Sequence, residues 1–285
     1  VKWIRVTARF PAPQADLSAA HFLFELAGSQ GTEVGPDESE ISAYLPDGET
    51  TWRRIADIGE RLFACGAIEV SATPIEEENW AEAWKQFFRR RRIGKRIVLC
   101  PAWESYDPEP DDLLIVMEPG QAFGTGEHAT TQLCLLFLEQ LVRPGMPVLD
   151  VGTGSGVLAI AAAKLGATVW ATECEEAAVQ AARANFERNG VEVRLLHSDS
   201  LDGLPRGFHL VVANLVSAVH IRMAPAVAPL LAPDGVWILS GVIPDNLPLV
   251  REAAERAGFQ VEEVVERGGW LGIVCRLADV RSAEA

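Results

Sequence analysis

The chain has 285 residues, 48% hydrophobic and 23% charged, an ordinary globular composition that excludes wholesale disorder and leaves room for a catalytic domain with a smaller companion. No stretch approaches the ~20 uncharged apolar residues of a membrane span, and the alternating run Val1 to Val6 lacks the apolar core of a secretion signal, so a cytoplasmic protein is expected. A formal charge of −15 argues against a general binder of the phosphate backbone and suits a basic partner, or serves solubility alone.

Residues 1 to 75 predict a small α+β unit. Strands are expected at Lys2 to Phe10, Glu40 to Leu45 and Ala67 to Ala72, and helices at Asp16 to Leu26 and Trp52 to Cys65, with a turn between Gly31 and Asp37. The order β-α-β-β-α-β is the ferredoxin-like pattern. From residue 76 to 92 a linker helix is expected: three glutamates, then Trp80, Trp84, Phe87 and Phe88 at helical spacing, then Arg89 to Arg92, which complement the dipole of a helix C-terminus or meet RNA or substrate. Residues 93 to 285 form the expected catalytic domain. Two strand-like runs, Arg96 to Cys100 and Leu113 to Met117, flank a Pro-rich acidic loop. Beyond Gly120 short apolar strands alternate with helices, which implies a parallel sheet covered on both faces. Strands at Pro147 to Val151, Thr168 to Thr172, Arg194 to His197, Leu210 to Ala213, Val236 to Ser240, Gln260 to Val265 and Leu271 to Arg276 fit a doubly wound, Rossmann-like α/β sheet with an antiparallel edge. The five cysteines, Cys65, Cys100, Cys134, Cys174 and Cys275, are scattered and never spaced C-x-x-C; they read as reduced core residues rather than disulfide or zinc ligands.

Chemistry concentrates where Val148 to Val151 runs into Gly152-Thr153-Gly154-Ser155-Gly156 and then a helix. Missing side chains let the backbone approach a ligand, and a helix N-terminus offers N–H groups to a phosphate or carboxylate. A dinucleotide fingerprint needs a small residue where Val157 stands, which favours a methyltransferase over a dehydrogenase. Glu173, 21 residues after Gly152 at the end of the next strand, can accept ribose hydroxyls, or merely open the following helix. Asp199 can take an adenine amino group or belong to a plain turn. Asn214 follows the fourth strand at the carboxyl edge, where an amide oxygen can orient an attacking amine without adding charge; the alternative is an ordinary Asn turn. The glycine-rich segment Glu118 to Thr131 precedes a helix that reads as amphipathic and ends at Leu141. It is expected to be a lid, with GTG as an anion nest, His128 as a metal ligand or Thr130 as an N-cap among its other readings.

Phe123-Gly124-Thr125-Gly126-x-His128-x-Thr130-Thr131, the run Asp150 to Ala162, and Ala213-Asn214-Leu215 together resemble the ribosomal protein L-eleven methyltransferases, over most of the chain. The first of these motifs is specific to that family. The resemblance implies a seven-stranded methyltransferase sheet using S-adenosyl-L-methionine, and a small N-terminal ferredoxin-like domain that grips the basic stalk-base protein of the large ribosomal subunit. It implies cofactor contacts at Thr131, Gly152, Glu173 and Asn214, with Phe123 and Gly154 lining the same pocket, Asn214 also orienting the acceptor, and no metal. The family usually has Asp where this chain has Glu173. Leu215 stands where nucleic-acid amino methyltransferases carry Pro-Pro-aromatic, so no direct nucleic-acid requirement is expected. The implied reaction is trimethylation of lysine ε-amines and of the N-terminal amine, by a monomer. Another basic protein or a small amine as acceptor, an NAD-linked oxidoreductase, and a non-catalytic adenosine-binding assembly factor are the competing readings.

Overall fold

The computed structural model describes residues 3–11, 17, 20, 23–24, 27, 29, 32–35, 39–75, 89–118 and 128–278. The chain divides into two compact units, Val1–Phe87 and Phe88–Ala285. In the first, an antiparallel sheet runs in the order β2-β3-β1-β4, with β1 at Trp3–Arg9, β2 at Thr32–Val34, β3 at Glu40–Pro46 and β4 at Glu69–Ile75. Period-two patterning decides its faces. Ile4, Val6 and Ala8 are buried while Arg5, Thr7 and Arg9 point the other way, where Arg9 bridges Glu40 and Glu69 across the register. Helix α1 (Glu49–Ala64) lays Ile55, Ile58 and Leu62 on the apolar face, beside Phe24, Ile41 and Leu45. Strand β2 is a correction: its residues fall in the expected turn, and three residues are too few for a period to show.

The second unit opens with a three-stranded sheet, β5 (Arg91–Ile93), β6 (Ile97–Pro101) and β7 (Leu113–Met117). Arg91 and Arg92 are therefore strand rather than the end of a helix: the Arg92 guanidinium reaches out of β5 to Asp112 Oδ1 at 2.6 Å, a cross-loop pairing that a local charge run does not reveal. Residues 76–88 of the expected linker helix, with both its tryptophans, lie outside the described residues.

The main sheet has seven strands in the order β10-β9-β8-β11-β12-β14-β13. Here β8 is Pro147–Val151, β9 Thr168–Glu173, β10 Val193–His197, β11 Phe208–Asn214, β12 Leu231–Val242, β13 Phe259–Arg267 and β14 Trp270–Leu277. Of these seven strands β14 alone runs opposite to the other six. Helices α2 (Ala129–Leu141), α3 (Val157–Lys164) and α4 (Glu176–Asn189) cover one face, and α5 (Ser217–Val227) and α6 (Leu247–Arg256) the other. This burial on both sides explains the unbroken apolar strands: Val148 packs into one layer and Leu149 into the other, as do Leu210 and Val211. The expected amphipathic helix α2 is instead buried from Thr130 to Leu135 and again at Phe137 and Leu138, because it is wedged against the sheet and α3. Strand order reverses between β8 and β11, so the crevice beyond their carboxyl ends is where such a sheet takes a ligand. Among the described residues no helix is long and apolar enough to cross a membrane.

Candidate functional site

At the end of β8 the backbone turns sharply. Gly152 (φ +68°) lies in the left-handed region that favours glycine, and a Cβ there would stand 2.8 Å from Leu215 Cδ2 and turn that side chain aside. Its N–H and that of Thr153 both reach the Thr172 carbonyl on β9, which fixes the loop to the neighbouring strand. Gly154 N–H then donates to Glu173 Oε2 at 2.8 Å, while Glu173 Oε1 accepts from Cys174 N (2.8 Å) and Glu175 N (3.0 Å). The carboxylate at the end of β9 is thus 7% exposed and held by three N–H groups. It has about four lone-pair directions in all, so one remains for an incoming hydroxyl; a second would share Oε2 with Gly154.

Beneath the loop lies an acid whose part is not evident from the sequence. Asp150 is wholly buried; its Oδ2 accepts from Thr153 Oγ1 (2.6 Å) and Ala159 N (3.0 Å), and its Oδ1 has no partner. One side chain so ties the turn to the first turn of α3. Burial pushes its pKa up to about 7 from 3.8, against the lowering effect of those two hydrogen bonds. The folded chain therefore keeps a proton that the unfolded chain has already released. Stability is full below about pH 4 and is lost as pH rises to about 7. Asp150→Asn, which preserves the accepting oxygen, is expected to remove that loss. Melting curves of both proteins should agree near pH 4 and diverge on the order of 2–4 kcal/mol in favour of the variant above pH 7; parallel curves would show that Asp150 is ionised throughout.

Asn214 ends β11, and its Nδ2 donates to Thr131 Oγ1 on α2 at 3.1 Å, Thr131 being 1% exposed. With the amide nitrogen turned to Thr131, the carbonyl oxygen is presented away from it. The chain after Asn214 is held as well: Leu215 N donates to the Ser240 carbonyl (3.1 Å), which also receives buried His220 Nε2 (2.8 Å). Asn185 on α4 ties a third strand to the loop, giving Nδ2 to Ser155 O (2.9 Å) and accepting Glu118 N (3.2 Å) at Oδ1. Neither Asn185 nor His220 carries a local motif. Each becomes legible only when helix and strand are placed together.

The remaining expectations divide. Thr131, Gly152, Gly154, Glu173 and Asn214 all come to the carboxyl edge of β8, β9 and β11, whereas Phe123 and the rest of 119–127 lie outside the described residues. His128 rather than Thr130 is the N-cap of α2: its Nδ1 accepts from Thr130 N and stands 2.8 Å from Thr130 Oγ1, and its ring meets Trp270 edge-on at 5.1 Å. Asp199 is exposed, in a turn closed by Ser198 and Ser200. Cys100, Cys134 and Cys275 are buried as expected, but Cys65 and Cys174 are exposed, since each lies just past the end of its element.

The family model described as ribosomal protein L11 methyltransferase (PrmA) matches residues 14–278. A ribosomal protein L11 methyltransferase of Pelotomaculum thermopropionicum is 40% identical over 97% of this chain and 99% of its own length. One of Heliobacterium modesticaldum is 44% identical over 86% of this chain and 80% of its own. The crystal structure of a ribosomal protein L11 methylase from Lactobacillus delbrueckii subsp. bulgaricus superposes with a TM-score of 0.62 at 33% identity, covering 66% of this chain and 97% of that one. The Asn214–Thr131 pair, the Gly152 turn and Glu173 therefore sit in an α/β methyltransferase sheet, and the chain belongs to the ribosomal protein L11 methyltransferase family.

Proposed function

We propose that this enzyme transfers methyl groups from S-adenosyl-L-methionine to lysine ε-amines, and to the N-terminal amine, of ribosomal protein L11, as far as the trimethyl state. The observation that carries the reading is Asn214: its amide nitrogen is committed to Thr131, which leaves its carbonyl oxygen as an uncharged acceptor, at the end of the strand that pairs with β8 just before the glycine loop. The residues fit the cofactor. Gly152, whose Cβ would strike Leu215, and Gly154 let the backbone approach it, the start of α3 suits its carboxylate, and Glu173 keeps one lone pair for its ribose. When bound, S-adenosyl-L-methionine supplies a methyl group on a positively charged sulfur.

The acceptor amine must arrive neutral, although a lysine in water has a pKa near ~10.4. Among the described residues neither histidine near Asn214 is built to take the proton. His128 Nδ1 is spent on capping α2, and His220 is buried with its pKa lowered by that burial. Water takes the proton, and Asn214 then accepts an N–H and turns the lone pair toward the methyl group. The first unit serves as a ferredoxin-like recognition domain (1–75), which its strand order β2-β3-β1-β4 supports, joined by a linker to a catalytic domain that takes in β5 and all that follows. The enzyme works as a cytoplasmic monomer, with Phe123 completing the cofactor pocket and no direct need for nucleic acid.

Isothermal titration should give saturable binding of S-adenosyl-L-methionine and none of NAD. Mass spectrometry of L11 incubated with enzyme and cofactor should show additions in steps of three methyl groups per amine. Tight NAD binding, or an unmodified L11 beside a methylated small amine, would overturn the reading.

A further inference from the structure

The carboxylate at the end of β9 is supported from the next strand. Glu173 and His197 close β9 and β10, which run parallel, and they are register partners. The His197 ring reaches the turn that leads into α4. Its Nε2 lies 2.9 Å from the Cys174 carbonyl oxygen and its Nδ1 3.2 Å from Glu176 Oε2. A carbonyl oxygen only accepts, so the proton of the first contact stands on Nε2.

What that contact controls follows from the planarity of the peptide group. The Cys174 carbonyl and the Glu175 N–H belong to one rigid unit. His197 holds its carbonyl end, while the N–H at its other end donates to Glu173 Oε1 at 3.0 Å. Rotating the unit away from His197 would turn that N–H away from the carboxylate. The preceding peptide is built alike: Cys174 N donates to Glu173 Oε1 at 2.8 Å, and its carbonyl end, Glu173 O, accepts from Ser198 N at 2.8 Å. Both peptides that fix Oε1 are therefore anchored at the end of β10, one by backbone and one by the imidazole. A glutamate has three side-chain torsions to fix, at a cost in rotamer freedom. Donors already in place meet that cost before a ligand arrives. The ion pair with Glu176 would be an ordinary surface contact by itself, its side chains being 48% and 63% exposed. It is the bond to the carbonyl that reaches the site.

We infer that His197 is a positioning residue for cofactor binding: through the Cys174–Glu175 peptide it sets the Glu173 carboxylate toward the ribose of S-adenosyl-L-methionine. The inference rests on the reading of Glu173 as the ribose acceptor.

The test is isothermal titration of S-adenosyl-L-methionine into the full chain carrying His197→Leu, His197→Asn or His197→Gln, each alone and combined with Glu173→Ala, with melting temperatures measured alongside. A glutamine amide places an N–H near the position of Nε2 and an asparagine amide near that of Nδ1, so of the three only Gln still meets the Cys174 carbonyl. His197→Leu and His197→Asn should raise the cofactor Kd about three- to tenfold, the range for loss of one hydrogen bond, and His197→Gln should stay within about twofold of wild type. Combined with Glu173→Ala none of the three should weaken binding further, since a support has no effect once what it supports is gone. Unchanged binding in His197→Leu beside weakened binding in Glu173→Ala overturns the inference alone. So does a His197→Leu effect that persists in full on Glu173→Ala, or a His197→Gln variant as weak as His197→Leu. A Glu173→Ala variant that binds the cofactor as tightly as wild type overturns the reading of Glu173 instead.

Discussion

Asn214→Ala should slow single-turnover methyl transfer by about 10²–10³-fold while weakening cofactor binding by no more than about tenfold. The first figure follows from the role proposed for the side chain: an amine presented a fraction of an ångström or a few tens of degrees off line loses most of the advantage of proximity, about 10² for a 1 Å misplacement, and loss of one preorganised polar group at a reacting centre costs about 10²–10³. Thr131 makes the prediction sharper. Because Thr131 Oγ1 holds Nδ2 at 3.1 Å, Thr131→Val should let the amide rotate and cost about tenfold by itself, yet add nothing to Asn214→Ala, since a positioning contact is worthless once its object is gone. Asn214→Asp separates orientation from charge. A carboxylate beside the acceptor favours its ammonium form and raises its pKa, so this variant should be slow at neutral pH and recover part of its rate toward alkaline pH, whereas Asn214→Ala should not. Rapid-quench measurement over pH 6–10 reads all three; full single-turnover rate in Asn214→Ala would remove the residue from the mechanism.

Asn214 was legible in the sequence for a simple reason. A polar residue directly after an apolar strand must sit at a sheet edge, and the alternation of strands and helices says which edge. Gly152 and Glu173 were legible on the same ground, each being the first residue, or the last, at the carboxyl end of a parallel strand. Residues whose role is to support these were not. Asp150 reads as one more strand residue until both sheet faces are covered, and only then is its carboxyl dry. Likewise Ser240 and His220 act on Leu215 only because β12 pairs with β11, setting Ser240 beside Asn214. Strand β12 shows the same limit in the fold: expected at Val236 to Ser240, it runs from Leu231 to Val242, its ladder with β11 passing Pro233-Asp234-Gly235 by a shift of register between Phe208 and Leu210. Local signals find elements and their ends. Pairing decides which remote residues share a site.

Gly241 illustrates the last point and carries the other large expected effect. It lies on β12 in the left-handed region (φ +86°), and a Cβ there would come 2.3 Å from the Leu215 carbonyl oxygen and 2.9 Å from its carbonyl carbon. Those atoms are backbone, and Leu215 cannot yield cheaply. Its N–H is bonded to Ser240, and its side chain lies where a Cβ on Gly152 would be. Displacing Leu215 therefore disturbs Asn214 on one side and the glycine loop on the other. Gly241→Ala should lower kcat and cofactor affinity together, each by about tenfold or more given the cost of small misplacements. Strain alone cannot explain such a result, and Gly190→Ala tests it: Gly190 also has positive φ (+62°) but an open surrounding, so alanine there should cost about 1–2 kcal/mol of stability and leave kinetics intact. Should Gly241→Ala merely melt earlier and retain wild-type kcat and cofactor Kd, the contact between Gly241 and Leu215 would be structural, and the Leu215 segment would not couple the acceptor side of the crevice to the cofactor side.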